Sequence, residues 1–479
     1  MKRWITGLLM IVLSTTAFAD EAKEPATKVG YTELERNLES MIRALDYFNQ
    51  RILPSAAAQS PQQVHRALKS SIPQDQRIER QVELLIQRAK ANANRANAHI
   101  AMKALDEALE LRSNHEEALK LREQVARFFP DVWLRRAGDE IRRIDNYVHR
   151  SMAYATLAEA QARSGRIDDA HASARLALMQ IDRDRAFAAL ADAHVKNGDI
   201  DGAKTVARRV SDPMASWRVF VSIAEAQAGA GKMQDAVATA RSTNNPQWRS
   251  MAYAGIVRGL VKANQIDTAV SIVPLVREKG PRADAYAGIA LARSKARDDQ
   301  GYRSMMSLAL SIVDSQESVF DRAMTRTGIA RQQITAADDM GWRTNLRQVE
   351  RSIDSISDHA QRAEVFGRVA LAYARANDQD TYQRMMRSAD KALTRVSNRY
   401  ERMTVLRSLA ALRAEAGDHG GAMAIAEKMT SAVHRADIWR QIGSALGRAE
   451  AMDRASAVTN QITSSLERAF LMMGLAMAL

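Results

Sequence analysis

The apolar positions of RSMAYATLAEAQARSGRIDDA, residues 150–170, fall at three- and four-residue spacing, break at Gly165 and resume at Ile167. That pattern predicts a helix, a turn and a second helix. It returns at fixed intervals. The pair Leu157-Ala158 recurs in steps of 33 residues as Leu190-Ala191, Ile223-Ala224, Ile256-Val257 and Ile289-Ala290. Three columns follow in steps of 40 (Ile329-Ala330, Val369-Ala370, Leu409-Ala410), and two more return to 33 at Ile442-Gly443 and Leu475-Ala476. Three residues before each pair stands a large side chain, as in Tyr154, Phe187, Phe220, Tyr253 and Tyr286, with Arg326 the exception. A turn residue follows the pair at Gly165, Gly198, Gly231, Asn264, Asn377 and Gly417.

One such unit cannot fold alone. Alanine in place of bulk lets two helices approach closely, and glycine or asparagine ends the first because the left-handed cap conformation is cheap for them. Each hairpin has too little apolar surface, so neighbours must stack to bury a continuous core. The prediction is an all-α chain, an α-solenoid of stacked antiparallel helix hairpins with 33- and 40-residue units over 150–479.

These columns resemble the tetratricopeptide repeat family: aromatic-x-x-Leu-Gly, a turn, then Ala-x-x-x-bulky is matched by Tyr154, Leu157, Ala158, Gly165 and Ala170. The tyrosine that the family places after the small residue is replaced by Gln161, His194 and Gln227, and only Tyr373 conforms. The closing proline is missing. The resemblance therefore implies the packing of helix on helix and leaves ligand positions unassigned.

Three longer units begin at Arg282, Arg322 and Arg362, each with seven extra residues. Seven residues are about two helical turns, so the phase is kept while the second helix gains about 10 Å. In the same units the alanine opening that helix becomes Tyr302, Trp342 or Tyr382. Two readings stand: a local change of curvature, or a partner surface raised in mid-solenoid.

Ahead of the array, residues 31–149 read as a helical region. Helical periods run over 31–51 and again from Arg77 to about Leu111, with a tetratricopeptide-like hairpin facing inward through Ala101, Leu105, Ala108 and Leu109. A break is expected at Phe129-Pro130-Asp131 and a lead-in helix over 132–148.

Residues 1–19 place Lys2 and Arg3 before an apolar run from Ile5 to Leu13, then Ala17-Phe18-Ala19, which predicts a secretory signal peptide cut before Asp20. A retained anchor would need about 20 apolar residues. Residues 20–30 read as a flexible leader. With no cysteine there is no lipid attachment, disulfide or thiolate metal site. The expected product is a periplasmic protein that is not a lipoprotein and has no membrane span. Its net charge of +13, or +11 without Lys2 and Arg3, favours an acidic partner: an acidic protein surface or an anionic polysaccharide, and not nucleic acid in an exported protein.

Chemistry is sparse in the sequence. The nine histidines fall in no ligand spacing, and AGAGK at 228–232 lacks the serine or threonine and the strand of a phosphate loop. Aspartates near the turns, such as Asp199, Asp298 and Asp338, recur with the repeat and are expected to cap second helices. No catalytic group, cofactor or metal is expected, and the chain is not read as an enzyme. Seven residues before each pair stands an arginine (Arg150, Arg183, Arg249, Arg282, Arg322, Arg362, Arg402, Arg435, Arg468), with Ser216 breaking the series. A cation at a helix start opposes that helix's dipole, so something must offset it: the end of the preceding unit's second helix, a recurrent aspartate in a neighbouring turn, or an anionic polymer or acidic partner gripped by an exposed stripe. The terminal half unit, LERAFLMMGLAMAL, is apolar nearly all round. Phe470, Met472, Met473, Leu475 and Met477 are expected either to fold onto the preceding hairpin or to meet a second copy. The function expected is a scaffold or adaptor for protein–protein interaction in envelope assembly or secretion, the alternative being a binding module for an anionic glycan during its export.

Overall fold

The computed structural model describes residues 74–479. The expected signal peptide, leader and helix over 31–51 lie outside the described residues. Among the described residues are 23 α-helices, and they fall in two compact units. The described part of the first comprises 74–85 and 107–113, where Arg112 pairs with Glu79. The second comprises 86–106 and 114–479.

Four helices precede the array: α1 (Gln74–Ala91), α2 (Ala98–Leu111), α3 (Glu116–Ala126) and α4 (Pro130–Arg142). The expected period over 77–111 is thus interrupted at 92–97, where the Asn94 side chain accepts from the Asn97 amide at 3.0 Å. The expected helix over 132–148 is also two. α4 begins at Pro130, and a new helix starts where the Asn146 side chain accepts from the amides of Val148 and His149, both at 3.0 Å. Asparagine is an effective N-cap because its oxygen satisfies amides that no preceding turn can reach.

The array proper alternates first and second helices. The first helices are α5 (Tyr147–Arg163), α7 (Gln180–Lys196), α9 (Pro213–Gly229), α11 (Pro246–Lys262) and α13 (Lys279–Lys295), then α15 (Val319–Thr335), α17 (His359–Arg375), α19 (Arg399–Glu415), α21 (Ala432–Arg448) and α23 (Ser465–Ala478). Between them lie α6 (Ile167–Leu176), α8 (Ile200–Ala207), α10 (Met233–Arg241), α12 (Ile266–Ile272), α14 (Asp299–Asp314), α16 (Asp339–Ile353), α18 (Gln379–Leu393), α20 (His419–Lys428) and α22 (Met452–Gln461). The fold is an all-α, solenoid-like stack. Both members of all ten repeated pairs are buried. The seven extra residues of each long unit lie in α14, α16 and α18, which have 16, 15 and 15 residues where α6 has 10.

The turn after each first helix uses a left-handed residue. Gly165 has φ 79° and Asn264 φ 57°, but Arg297, Ala337 and Glu450 occupy the same register without the freedom of glycine. A second helix then opens on an aspartate: Asp199, Asp298, Asp338 and Asp418 each accept from the amide three residues on, at 2.8–2.9 Å.

The second unit closes on itself. α4 stands beside α23 where a second helix would stand: it packs along α23 as a second helix packs along its first, and then against α5. Leu466, Phe470, Met473 and Leu475 of α23 share one apolar cluster with Trp133, Leu134 and Ile141 of α4. Arg468 donates to Glu140 at 2.7 Å and Arg127 pairs with Asp453 at 3.0 Å. Arg95 donates to the carbonyls of Ala478 and Leu479 at 2.6 and 2.8 Å. Burying each large side chain here contributes about 1.5–3 kcal/mol. The first helices therefore form a circuit, with α23 beside both α21 and α5.

Candidate binding surface

The arginine column is held within the chain. Arg150 donates to the Ile144 carbonyl at 3.2 Å, Arg183 to Leu178 at 2.9 Å, and Arg249 to Thr243 at 3.0 Å. Arg362 reaches Ile356 at 2.9 Å, Arg402 reaches Ser397 at 3.4 Å, and Arg435 reaches Met429 at 2.7 Å. Arg322 bonds Gln316 and Glu317 in the same way. These carbonyls lie just before each first helix, so the guanidinium rests on the negative end of what precedes it. Arg282 makes no such bond among the described residues.

Of the three aromatic replacements, Trp342 and Tyr382 pack inside the chain and Tyr302 is half-buried. Trp342 and Tyr382 are 2% and 1% exposed. The Tyr382 hydroxyl donates to Asp418 Oδ2 at 3.0 Å, and the half-buried Tyr302 donates to Asp338 Oδ2 at 2.6 Å. Each tyrosine thus ties its own second helix to the capping aspartate of the next unit. Burial, and then the aspartate charge, push both phenols above their ordinary range. The third aromatic, Trp342, instead donates from its indole to Asp339 of its own helix at 3.0 Å. The terminal apolar cluster is likewise covered by the chain itself: Phe470, Met472, Met473 and Leu475 are buried and Met477 half-buried, because α4, α5 and α21 enclose α23.

What the packing leaves open is the face that the first helices turn toward one another's flanks. A cavity of about 1040 Å³ runs along α5, α7, α9 and α11, and one of about 670 Å³ follows along α9, α11, α13 and α15. A third, of about 460 Å³, crosses the closing seam from Arg407 and Asp437 to Glu159 and Arg185. Their linings mix both charges. In the largest, Glu159 is bonded by Arg163 at 2.7 Å and Arg185 at 3.1 Å, and Glu225 by Arg258 at 2.9 Å and Lys262 at 2.6 Å. Burial pushes the Glu159 carboxyl up, but Arg185, Arg163 and, across the seam, Arg440 outweigh it and hold it below the usual range. Asp437 is balanced the same way by Arg440, Arg407 and Arg185. At Asp192 burial outweighs Ser222, Lys196 and Arg163 and pushes the carboxyl up, and its Oδ1 is without a partner among the described residues.

With this surface in view, similarity to known proteins adds little. No protein-family model matches the chain. No curated protein is similar to it. Among solved structures, the crystal structure of Ton1535 from Thermococcus onnurineus NA1 is 18% identical over 67% of this chain and 99% of that one, with a TM-score of 0.25, a likeness that carries no argument.

One lining column carries no expectation from the repeat. It stands five residues before each pair: Met152, Arg185, Arg218, Met251 and Asp284 line the first two cavities, and Asp437 the third. The signal was present as variability. Packing columns repeat the same residue class, whereas this column changes from unit to unit because no neighbouring helix fills it.

Proposed function

We propose that the protein is a non-catalytic scaffold of the periplasm that holds a segment of a partner protein along the inner face of its closed array. The repeat is read as tetratricopeptide-like, and the export signal expected at 1–19 is the ground for the compartment. The observation that carries the reading is the alternation of charge along the cavities. Carboxylates Glu159, Asp192 and Glu225 interleave with Arg185, Arg218 and Lys262 within one continuous lining. A polymer of uniform negative charge would meet repulsion at every second contact, which counts against the anionic glycan. A polypeptide can carry both signs in matching order.

Photo-crosslinking in cells tests this. A photoreactive residue at Met251 or Ala188, both on the cavity lining, should capture a protein, while one at the exposed Leu308 of α14 should not. Equal capture at all three positions, or no protein captured from the lining positions, would sink the proposal.

A further inference from the structure

The 670 Å³ cavity is lined by four guanidiniums, Arg218, Arg258, Arg331 and Arg375, and one carboxyl, Asp284. Two of the four are already paired: Arg258 with Glu225 at 2.9 Å, and Arg375 with Glu415. Arg218 and Arg331 make no ion pair among the described residues. Two cations against one carboxylate leave a single positive charge in the cavity. Arg331 Nε is buried with no partner among the described residues, and so are an acceptor, Gln332 Oε1, and a donor, Trp217 Nε1. Burial, and then the neighbouring charge of Arg375, push the Arg331 guanidinium below its ordinary range, and the opposing pull of Glu415 does not make this good. A buried cation pressed by another cation is relieved by an anion between them.

Two glycines that packing does not require are among the residues lining the cavity. A Cβ on Gly288 would touch nothing within 4 Å, and one on Gly328 would approach only Asp284 Oδ1, at 3.6 Å. Glycine inside a helix is less favourable than alanine, and here it leaves the cavity wall without two side chains.

We infer that Arg218 and Arg331 form a carboxylate site, and that its ligand is an acidic side chain of the segment held on the inner face. The second clause rests on the scaffold reading above; the first does not. One net positive charge suits a monoanion better than a phosphate dianion. Guanidiniums bind carboxylates through paired hydrogen bonds, and a ligand backbone amide can serve the orphaned Gln332 oxygen. Asp284 sets the pH dependence. Arg258 on α11, Arg331 on α15, Arg218 on α9 and Arg375 on α17 share its cavity. The residue is exposed at the mouth of the cavity, but the packed walls around it strip water from its carboxyl and push it up to about 6, against the pull of Arg258. Protonated, it no longer repels a ligand carboxylate, so affinity rises as pH falls from 7.5 to 5.5. A glutamate ligand, with a pKa of about 4.3, keeps its charge over that range.

Titration calorimetry on the full chain tests the site with a Glu-Ala octapeptide, its Gln-Ala counterpart, N-acetylglutamate, polygalacturonate and sodium phosphate. The Glu-Ala peptide should bind about tenfold or more tightly than the Gln-Ala peptide, and Arg218→Gln with Arg331→Gln should abolish the difference. N-acetylglutamate should bind more weakly and be lost in the same variant. Equal affinity for the two peptides, or a Glu-Ala affinity unchanged in the double variant, overturns the site. Phosphate binding more tightly than N-acetylglutamate overturns the monoanion assignment, and N-acetylglutamate as tight as the octapeptide replaces the segment by a free small carboxylate. Polygalacturonate binding more tightly than the octapeptide overturns the scaffold reading, while its loss in the double variant still supports the site. Neither guanidinium is bonded among the described residues, so the double variant should keep the wild-type Tm; Arg218→Gln alone, at an exposed residue, gives the answer if it does not.

Discussion

Two sectors of the array differ in how their cores join. From α15 through α23 and on into α4 and α5, a single apolar cluster runs unbroken across the closing seam. From α5 to α14 the core is divided into three smaller clusters, built mostly from alanine with single larger side chains such as Phe187, Tyr253 and Met306. The two larger cavities open along this divided sector. Continuous packing transmits strain, whereas small separate clusters next to open volume leave helices room to adjust. The molecule thus places its rigidity where the chain closes and its adaptability where a partner would lie.

Backbone contact between helices offers the strongest way to break that contrast. Gly474 in α23 lies against the Arg440 carbonyl and Gly443 against the Leu471 carbonyl; Gly259 in α11 lies against the Glu225 carbonyl of α9. A Cβ would collide at all three. In the continuous sector the neighbours cannot give way, so Gly474→Ala should cost about 3 kcal/mol or more in chemical denaturation. In the divided sector α9 and α11 can part into cavity space, so Gly259→Ala should cost about 1–2 kcal/mol. Equal losses would erase the distinction.

The seam also depends on charge. Burial pushes the Glu140 carboxyl up, but Arg468, Ser465 and Arg143 outweigh it and hold it below the usual range. Glu140→Gln should lower unfolding stability by about 1.5–3 kcal/mol, since it leaves Arg468 facing a neutral amide. A loss confined to a few tenths would mean that apolar packing alone closes the array. Next in size, Gly288→Ala should raise stability by about 1 kcal/mol, because the added methyl meets open space and alanine favours the helix. Destabilisation there would show that the divided sector is as tightly filled as the seam.

The smallest effect is expected at Asp284. Its folded carboxyl lies at about 6 against an ordinary 3.8, so the native state holds the proton more firmly than the unfolded chain does. Stability therefore falls as pH rises from about 4 to 6 and stays reduced above that. Asp284→Asn should raise Tm at pH 7.5 and leave it unchanged at pH 4. A gain of the same size at both pH values would remove the electrostatic account.

The repeat was legible because packing columns impose themselves on every unit. Leu157, Leu190 and Ile223 meet the same neighbours, so the same residue class recurs and the helices can be counted from the chain. The left-handed turns were legible where they fell on glycine or asparagine and missed at Arg297, Ala337 and Glu450, since surrounding helices can force a residue into a conformation that its own propensity disfavours. Closure was not legible. α4 and α23 are separated by more than 300 residues, and Trp133 and Phe470 belong to no shared period. Arg218 and Asp284 escaped for the opposite reason to Leu157: nothing in the protein occupies the space before them.

Replacing two terminal units by one internal joint changes how such a stack comes apart. An open row of repeats melts from its ends inward, since an outermost unit has a neighbour on one side only and is released by breaking one interface. A circuit has no outermost unit. Freeing any hairpin of this array requires two interfaces to yield together, so thermal fraying gives way to a single concerted opening, and α23 becomes as hard to peel away as any helix in the middle of the chain.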